Sequence, residues 1–531
     1  MKLETGNLKL DNHILIKKSW NSKHRTWGVI TAVFVFIIFF TLFSPKPSFA
    51  AEDETLDEII NGFDDKKPEA SDDTMQDVLE GFEDEPKDVK KSKNGDDFLE
   101  GFDDDAKEAE TELPPELKKD ELKPSIFSFN GDVELGASYN FAHDKPEGNE
   151  TDWRGLSRLR TELNLELNAK FSSSWQARIS GKGAYDFAYA IQGRDEFTDD
   201  VLDNYEKELE LGETYIQGSL TKSLDVKIGR QIVVWGKSDN IRVTDVLNPL
   251  DMREPGLTDI EDLRLPAAMS RIDYYIGDWS LTGIAIHEIR FNKIPEYGSD
   301  FYPSSTPPPQ EDKPDHCGKN TEYAAAINGI FSGWDISFYW ADYYNDMPHM
   351  ELVLAGMPPQ IEWKHARLKM VGSAFNAAVG NWLLKTEAAY IDGFEFFNSS
   401  EKEYSRTDVL AGIEYSGFKD TTVSIEAVNR HINNFDDVLE LAPDQAQEDE
   451  FQWVFRLTRD FLNETLTLTL LASTYGSTGQ DGAFQRFSAE YDITDSFQIN
   501  GGVMLYQSGD LAKYRNIGDN DRLFCEIKYS F

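Results

Sequence analysis

Charged residues of both signs are concentrated in one long segment of this chain, residues 236–266. The candidates that we single out in it are Arg242, Asp245, Asn248, Asp251, Arg253, Glu254 and Arg264. Arginine and carboxylate side chains that face each other across a narrow, poorly hydrated opening create a transverse electric field, which selects solutes by charge and size. The segment therefore predicts a constriction, and the alternative is that these charges only solvate the wall of a wide channel.

Motifs for other chemistry are absent from the sequence. The eight histidines are scattered without a second ligand at metal spacing, and no glycine-rich phosphate loop occurs. Two cysteines exclude a disulfide scaffold and a cysteine-ligated iron–sulfur cluster. The acidic group at 195–203 lacks the spacing of a calcium loop, which favours solvated surface charge. We therefore predict no enzyme, no cofactor and no metal site.

Composition narrows the class of protein further. The chain has 531 residues, with 96 Asp and Glu against 53 Lys and Arg, and a net charge of −43. Such a charge argues against a nucleic-acid partner, because phosphate backbones are held by basic surfaces. A mean hydropathy of −0.51 argues against a helical membrane bundle. It leaves open a membrane β-barrel, whose strands alternate apolar and polar residues.

Residues 1–50 have the pattern of an export signal peptide. Basic residues precede an apolar run at 29–43, and the small residues Ser48 and Ala50 fit cleavage after Ala50. The run is short for the ~30 Å hydrocarbon core of a membrane. An uncleaved membrane anchor is the alternative interpretation.

Residues 51–124 form an acidic segment that we expect to be disordered in the periplasm. Three short apolar repeats interrupt it, each compatible with about two helical turns that end at glycine. The repeat positions are Leu56, Ile60 and Phe63, then Met75, Leu79 and Phe82, then Phe98, Leu99 and Phe102. Tandem copies favour docking to a partner groove, since linkage raises the effective concentration. The alternative is a low-complexity spacer.

From residue 125 to 531 the apolar period becomes two, which indicates β-strands. Leu163, Leu165 and Leu167 alternate with charged and amide residues, as expected of a strand that is apolar on one side and wet on the other. We count about 18 strands whose connections alternate between short and long. This pattern predicts an all-β, antiparallel transmembrane β-barrel. Arg158, Arg160 and Arg178 fall on its lumen side.

Aromatic residues support the membrane interpretation. Trp175, Trp279, Trp334 and Trp382 follow short turns, and Trp153, Trp235, Trp340 and Trp363 lie near the opposite strand ends. These two groups predict aromatic girdles at the two membrane interfaces. The chain ends in a strand with Tyr529 and Phe531, which resembles the terminal signal that the barrel-assembly machinery reads.

Two motifs carry a resemblance to a known family. They are Gly229-Arg230-Gln231 followed by Trp235-Gly236, and Asn248-Pro249-Leu250-Asp251 followed by Arg253. With them the chain resembles large porin-like outer-membrane barrels of Gram-negative bacteria, which have no assigned function and are often encoded near RND/MMPL-type exporters. The resemblance covers the barrel and leaves out the acidic repeats. It implies a third loop, 236–266, that folds into the lumen.

These observations predict an outer-membrane channel for small or amphipathic molecules. A second hypothesis is an outer-membrane component of an export system, in which the repeats dock a periplasmic or RND/MMPL-type partner. A surface enzyme or adhesin and a sheath around a multihaem cytochrome are further alternatives. The expected partners are outer-membrane lipids and the barrel-assembly machinery, and a homo-oligomer is compatible with the sequence.

Overall fold

The computed structural model describes residues 126–146, 151–316, 318–354 and 359–531. The predicted signal peptide 1–50 and the acidic segment 51–124 with its repeats lie outside the described residues.

The described chain is built mainly of β-strands. They are β1 Phe127–Asn140, β2 Gly155–Lys170, β3 Trp175–Asp186, β4 Lys207–Thr221, β5 Leu224–Gln231, β6 Ala267–Ile276, β7 Trp279–Ile286, β8 Gln310–Glu311, β9 Glu322–Phe331, β10 Trp334–Tyr344, β11 His349–Val353, β12 Gln360–Lys364, β13 Arg367–Val379, β14 Trp382–Phe394, β15 Tyr404–Phe418, β16 Thr421–Asn433, β17 Asp449–Phe461, β18 Leu466–Tyr475, β19 Gly482–Thr494, β20 Phe497–Gln507 and β21 Arg522–Ser530.

Eighteen of these strands form one closed sheet. Each pairs antiparallel with its neighbours along the chain, and β21 pairs with β1, with Asp132 opposite Ser530. The predicted antiparallel barrel of about 18 strands is therefore confirmed. The remaining strands, β8, β11 and β12, form a separate three-stranded sheet within the long connections.

The wall of the barrel alternates as the sequence predicts. In β2, Leu163, Leu165 and Leu167 are exposed on the outer surface, whereas the side chain of Asn164 turns to the other face and donates to Asp132 of β1. The exposed apolar side chains recur around the wall, for example Ile216 and Ile327. Full closure satisfies every strand edge, which is what a sheet needs where no water can hydrogen-bond the backbone.

Connections differ in length at the two ends of the barrel. At the short-turn end they run over a few residues, such as 277–278 and 380–381, and Gly277 and Gly380 have positive φ values of +56° and +61°. At the long-loop end they include 187–206, 232–266 and 287–321.

Short helices occur within these long connections. The α-helices are Ala188–Gln192 and Asp199–Val201, followed by the π-helix Leu202–Glu206; the 3₁₀ helices are Arg194–Glu196, Gly318–Asn320, Phe397–Ser399, Asp437–Glu440, Ala512–Tyr514 and Ile517–Asp519. None of the helices in the described residues is long and apolar enough to cross a membrane.

The tryptophan prediction is right at the short-turn end and only partly right at the other, where Trp340 of β10 is exposed but other members of the group are not. Trp279, Trp334 and Trp382 begin strands at the short-turn end and are exposed. Trp153 and Trp235 are buried instead. Trp153 packs edge-on against Phe197 in a loop cluster, and Trp235 leaves the wall with the connection 232–266. Their apolar surface is covered by protein, so they form no girdle.

Candidate functional site

The third long connection, 232–266, folds into the barrel. Sequence alternation predicts that β5 continues to Trp235, but the strand ends at Gln231. Val233 and Trp235 then turn inward and are only 3% and 6% exposed. Their backbone N–H groups donate to Oδ1 of Asn248 at 2.8 Å and Oδ1 of Asp245 at 3.2 Å. Side chains of the same connection thus accept the hydrogen bonds that a neighbouring strand would otherwise accept.

Asn248 closes the base of this connection. Its Nδ2 donates to the carbonyl groups of Gln231 at 3.2 Å and Leu265 at 2.9 Å, so one amide joins both ends. Asp245 accepts from Nε of Arg264 at 2.9 Å. Arg242 donates to the carbonyl groups of Asp245 and Asn248. These contacts hold the connection in one folded shape.

One side of the connection packs into an apolar core, which we call the loop core. Val233, Trp235, Ile241, Val243 and Leu247 contact inward residues of the strands from β6 to β18. Those wall residues include Met269, Ile286, Tyr339, Leu368, Met370, Ile391, Leu410 and Val428. Trp235 stacks on Tyr339 with ring centroids 4.7 Å apart. The loop core therefore fills part of the lumen.

Glu387 of β14 anchors the connection to the far wall. Its carboxylate accepts from the backbone N–H groups of Lys237 at 2.6 Å and Ser238 at 2.8 Å. It also accepts from the backbone N–H and the hydroxyl of Thr244. Gly236 has φ of +84°, and a Cβ there would lie 2.6 Å from Oε1 of Glu387. Glycine thus permits this close approach.

Glu426 of β16 provides a second anchor beside the first. It accepts from the backbone N–H groups of Asp239 and Asn240, both at 3.0 Å, and from the hydroxyl of Ser238 at 2.7 Å. Lys385 of β14 forms an ion pair with Asp239. Buried carboxylates that accept several N–H groups are strongly held, because each donor would otherwise stay unsatisfied.

The second part of the connection crosses to other strands. Asp259 forms ion pairs with Arg486 of β19 and, at 3.2 Å, with Arg456 of β17. The carbonyl of Pro255 accepts from the Tyr506 hydroxyl at 2.8 Å. Burial would raise the pKa of Asp259, but Arg486 and Arg456 outweigh it and keep the pKa below its usual value.

On the opposite wall, Arg253 joins the connection to β4. Its guanidinium contacts Asp251 at 2.5 Å and Glu208 at 3.1 Å. Glu208 also pairs with Arg160 at 2.6 Å and Lys293 at 2.6 Å. The connection therefore spans the lumen from wall to wall and is held by ion pairs on both sides.

Between this connection and the short-turn end lies a cavity of about 1250 Å³, which we call the polar cavity. Asn130 and Ser496 line it near the short-turn end, whereas Thr258 and Leu263 line it from the connection. Its carboxylates are Asp132, Glu134, Glu162, Glu166, Glu208, Glu210, Asp251, Glu254, Asp259, Asp262, Glu490 and Glu526. Its cations are Arg158, Arg160, Lys182, Arg253, Arg264, Arg456, Arg486 and Lys528.

Carboxylates exceed cations in this lining, and several have no cationic partner. Across the described residues, Asp262, Glu490 and Glu526 form no ion pair, while the arginines are mostly paired, as Arg158 is with Glu254 at 3.3 Å. Burial raises the pKa of Asp262, and the neighbouring Asp259 adds to the effect. The cavity therefore carries an excess of negative charge.

The structure places the predicted site residues in four different surroundings. Arg158, Arg160, Asp251, Arg253, Glu254 and Arg264 line the polar cavity. Arg178 lies on the inner wall between Glu166 and Glu213. Arg242, Asp245 and Asn248 lie inside the folded connection, where they bond its backbone. Tyr529 and Phe531 are half exposed on the outer surface at the last strand.

Sequence reasoning missed Glu387 and Glu426. Each occupies an inward position next to a small or apolar inward residue, Ala389 on β14 and Val428 on β16. A carboxylate that alternation places inward beside an apolar residue signals a buried anchor, because burying a charge requires hydrogen-bond donors or an opposite charge.

Comparison with known proteins gives one family match. The family model described as "Protein of unknown function (DUF1302)" matches residues 129–531. No curated protein sequence matches the chain.

The solved structures that are similar to this chain include two that cover 76% of it. OccAB2 of Acinetobacter baumannii is 10% identical, with 98% of its chain covered and a TM-score of 0.46. A BenF-like porin from Pseudomonas fluorescens Pf-5 is 12% identical, with 98% of its chain covered and a TM-score of 0.46.

Proposed function

The chain belongs to the DUF1302 family of proteins of unknown function, and we propose that it is a channel in the outer membrane of a Gram-negative bacterium. In this proposal small solutes pass through the polar cavity, and cations pass more readily than anions. The protein acts by selection and not by catalysis. Its N-terminal segment lies in the periplasm.

The observation that carries the proposal is a closed barrel with an apolar outer surface around a charged cavity. Apolar side chains such as Leu163 and Ile327 suit contact with lipid tails. The cavity wall offers carboxylates, guanidinium groups and hydroxyls, which replace part of the hydration shell of a polar solute. A soluble protein would instead bury the outer apolar faces.

The cation preference follows from the uneven pairing of charges. Arg253 and Arg486 are each held by carboxylates, so their positive charge is locally compensated. Glu490 and Glu526 lack such a partner among the described residues and face the cavity. A lumen with uncompensated negative charge concentrates cations and repels anions.

Single-channel recording tests this function. Purified mature protein is inserted into planar bilayers, and the reversal potential is measured in a KCl gradient. We expect steady steps with a cation-selective reversal potential. The double variant Glu490→Gln, Glu526→Gln should shift that potential towards zero, which shows that the steps belong to this protein. Absence of steps, or anion selectivity, would contradict the proposal.

The three apolar repeats support a second candidate function, an outer-membrane station of an export system. Their positions, from Leu56 to Phe102, suit docking to a periplasmic partner. The discriminating experiment compares the full mature protein with a variant that lacks residues 51–110. Equal conductance and equal transport in cells would leave the repeats as a tether, whereas a loss of transport in cells alone would favour the export role.

A further inference from the structure

A cluster of three potential ligands lies among the long loops, away from the polar cavity. It consists of His349 and Glu351 of β11 and Glu395, which follows β14, with one ligand atom from each within 4.8 Å of the others. We propose that this cluster binds a divalent transition-metal ion of the Zn²⁺ class. The bound ion would join the small β8–β11–β12 sheet to the connection 395–403.

The local structure explains why two of the ligands act together. His349 and Glu351 are two residues apart on a strand, so their side chains share one face. The hairpin register places His349 opposite Lys364 and Glu351 opposite Glu362. Strand β8 pairs with β12 on the other edge, which fixes the hairpin. The first two ligands are thus placed before any ion binds.

His349 is the second, independent observation. Its side chain is only 12% exposed. Both ring nitrogens are inaccessible to solvent, and neither has a hydrogen-bond partner. The contact between Nε2 and Oε2 of Glu395 is 3.4 Å and lacks hydrogen-bond geometry. A buried imidazole without any partner is costly, and a metal ion would satisfy one of its nitrogens.

The donor set indicates the type of ion. One imidazole nitrogen and two carboxylate oxygens are ligands that Zn²⁺ accepts, and the imidazole disfavours Mg²⁺ and Ca²⁺. Metal–ligand bonds of about 2.0–2.2 Å require the ligand atoms to approach more closely than they do now. Glu395 is the most exposed of the three, so it is the ligand that can move inward. A water molecule would complete the coordination.

One competing contact lies at the site. Nζ of Lys364 donates to Oε1 of Glu351 at 3.2 Å. The ammonium group occupies only Oε1 of Glu351, so Oε2 is free to bind the metal ion. The two cations nevertheless repel each other across the same carboxylate. The Lys364→Met variant should therefore bind the ion more tightly, which a purely structural role for Glu351 does not predict.

Calorimetry with Zn²⁺ tests the proposal on the full mature protein in detergent after treatment with a chelator. We expect one equivalent to bind, and His349→Ala and Glu395→Gln each to weaken binding at least about tenfold, because ligands matter at least as much as their supporting contacts. The matched control is His431→Ala, since His431 also contacts a carboxylate, Asp449 at 3.0 Å, but no second one. Its affinity should be unchanged.

A spectroscopic measurement guards against a misfolded variant. Co²⁺ substituted for Zn²⁺ should give visible absorption bands that disappear in His349→Ala, while the heat-modifiable gel mobility of the folded barrel stays the same. Zn²⁺ binding that survives both His349→Ala and Glu395→Gln would overturn the proposal. So would the absence of any stoichiometric binding to the folded protein.

Discussion

The loop core and the polar cavity share one barrel, yet they use the inward positions of their strands in opposite ways. Around the loop core these positions hold residues such as Leu368 and Val428, which pack against Trp235 and Val243. Around the polar cavity they hold carboxylates and guanidinium groups. One connection can therefore be fixed by apolar packing on one side and line a polar cavity on the other.

The two regions also differ in how charge is treated. Beside the loop core, Glu387 and Glu426 are buried and fully engaged by donors of the connection. In the polar cavity, Glu490 and Glu526 keep no cationic partner within the described residues. Carboxylates of the first kind hold the connection in place, whereas those of the second kind are the groups that would act on mobile ions in the proposed channel.

The largest effect should come from releasing the connection at the loop core. Glu387→Ala leaves four donors without their acceptor, of which the two from Thr244 are buried and cost about 1–3 kcal/mol each. We expect a several-fold rise in single-channel conductance and a lower unfolding temperature. Glu322→Ala is the matched control, because Glu322 is a buried carboxylate of β9 that accepts from the backbone N–H of Tyr344 at 2.7 Å and lies outside both the connection and the lining of the polar cavity. Unchanged conductance in Glu387→Ala would show that the anchor does not restrict the lumen.

A cavity made in the loop core should lower stability but leave selectivity alone. Met370 is fully buried there, so Met370→Ala should reduce the free energy of unfolding by about 2–5 kcal/mol. Denaturant unfolding in detergent measures the loss, with the exposed Met347→Ala as control. A shift in the reversal potential of this variant would mean that the two regions are not separate.

Removing unpaired carboxylates from the polar cavity should change ion selectivity but leave stability unchanged. Glu490→Gln combined with Glu526→Gln should lower the ratio of cation to anion permeability a few-fold at unchanged stability, since no ion pair is broken. The reversal potential in a KCl gradient measures this ratio. Asp495→Asn is the control, because it removes a carboxylate from an exposed short turn outside the cavity.

The smallest effect concerns pH. Burial and the neighbouring Asp259 raise the pKa of Asp262, so Asp262 takes up its proton at higher pH than an ordinary aspartate. As the pH falls, the cavity loses this negative charge at a higher pH than an ordinary aspartate would allow, and cation preference should decline. Asp262→Asn should make that decline smaller. An identical pH profile in the variant would assign the titration to other groups.

Alternation predicted much of the barrel, including the strand number and the inward placement of Arg158 and Arg160. It failed where tertiary contacts override the local pattern. Residues 232–235 alternate like a strand, but Asn248 and Asp245 accept their N–H groups and draw them inward. The small sheet of β8, β11 and β12 was also missed, since its strands are short and lie within long connections.

The site was less predictable than the fold, for a physical reason. The composition of 236–266 shows that charges gather there, but not which of them face water. Arg242 and Arg253 are both arginines of this charged segment, and nothing in the sequence separates their roles. Arg242 donates to carbonyl groups inside the connection, whereas Arg253 lines the cavity. The cluster around His349 was missed because Glu395 is distant in sequence. Pairings over such distances depend on the assembled barrel.

The contact between the two ends of the wall has a consequence for the time course of biogenesis. Gly131 and Phe531 exchange backbone hydrogen bonds of 2.9 and 3.1 Å. The pairing of β1 with β21 can therefore be completed only after the last residue has been synthesised. Until then one edge of β1 has no partner, and open edges recruit other chains. Contacts this remote in sequence also form slowly. A chain truncated before β21 would therefore be exposed to aggregation and proteolysis, however complete the rest of its wall.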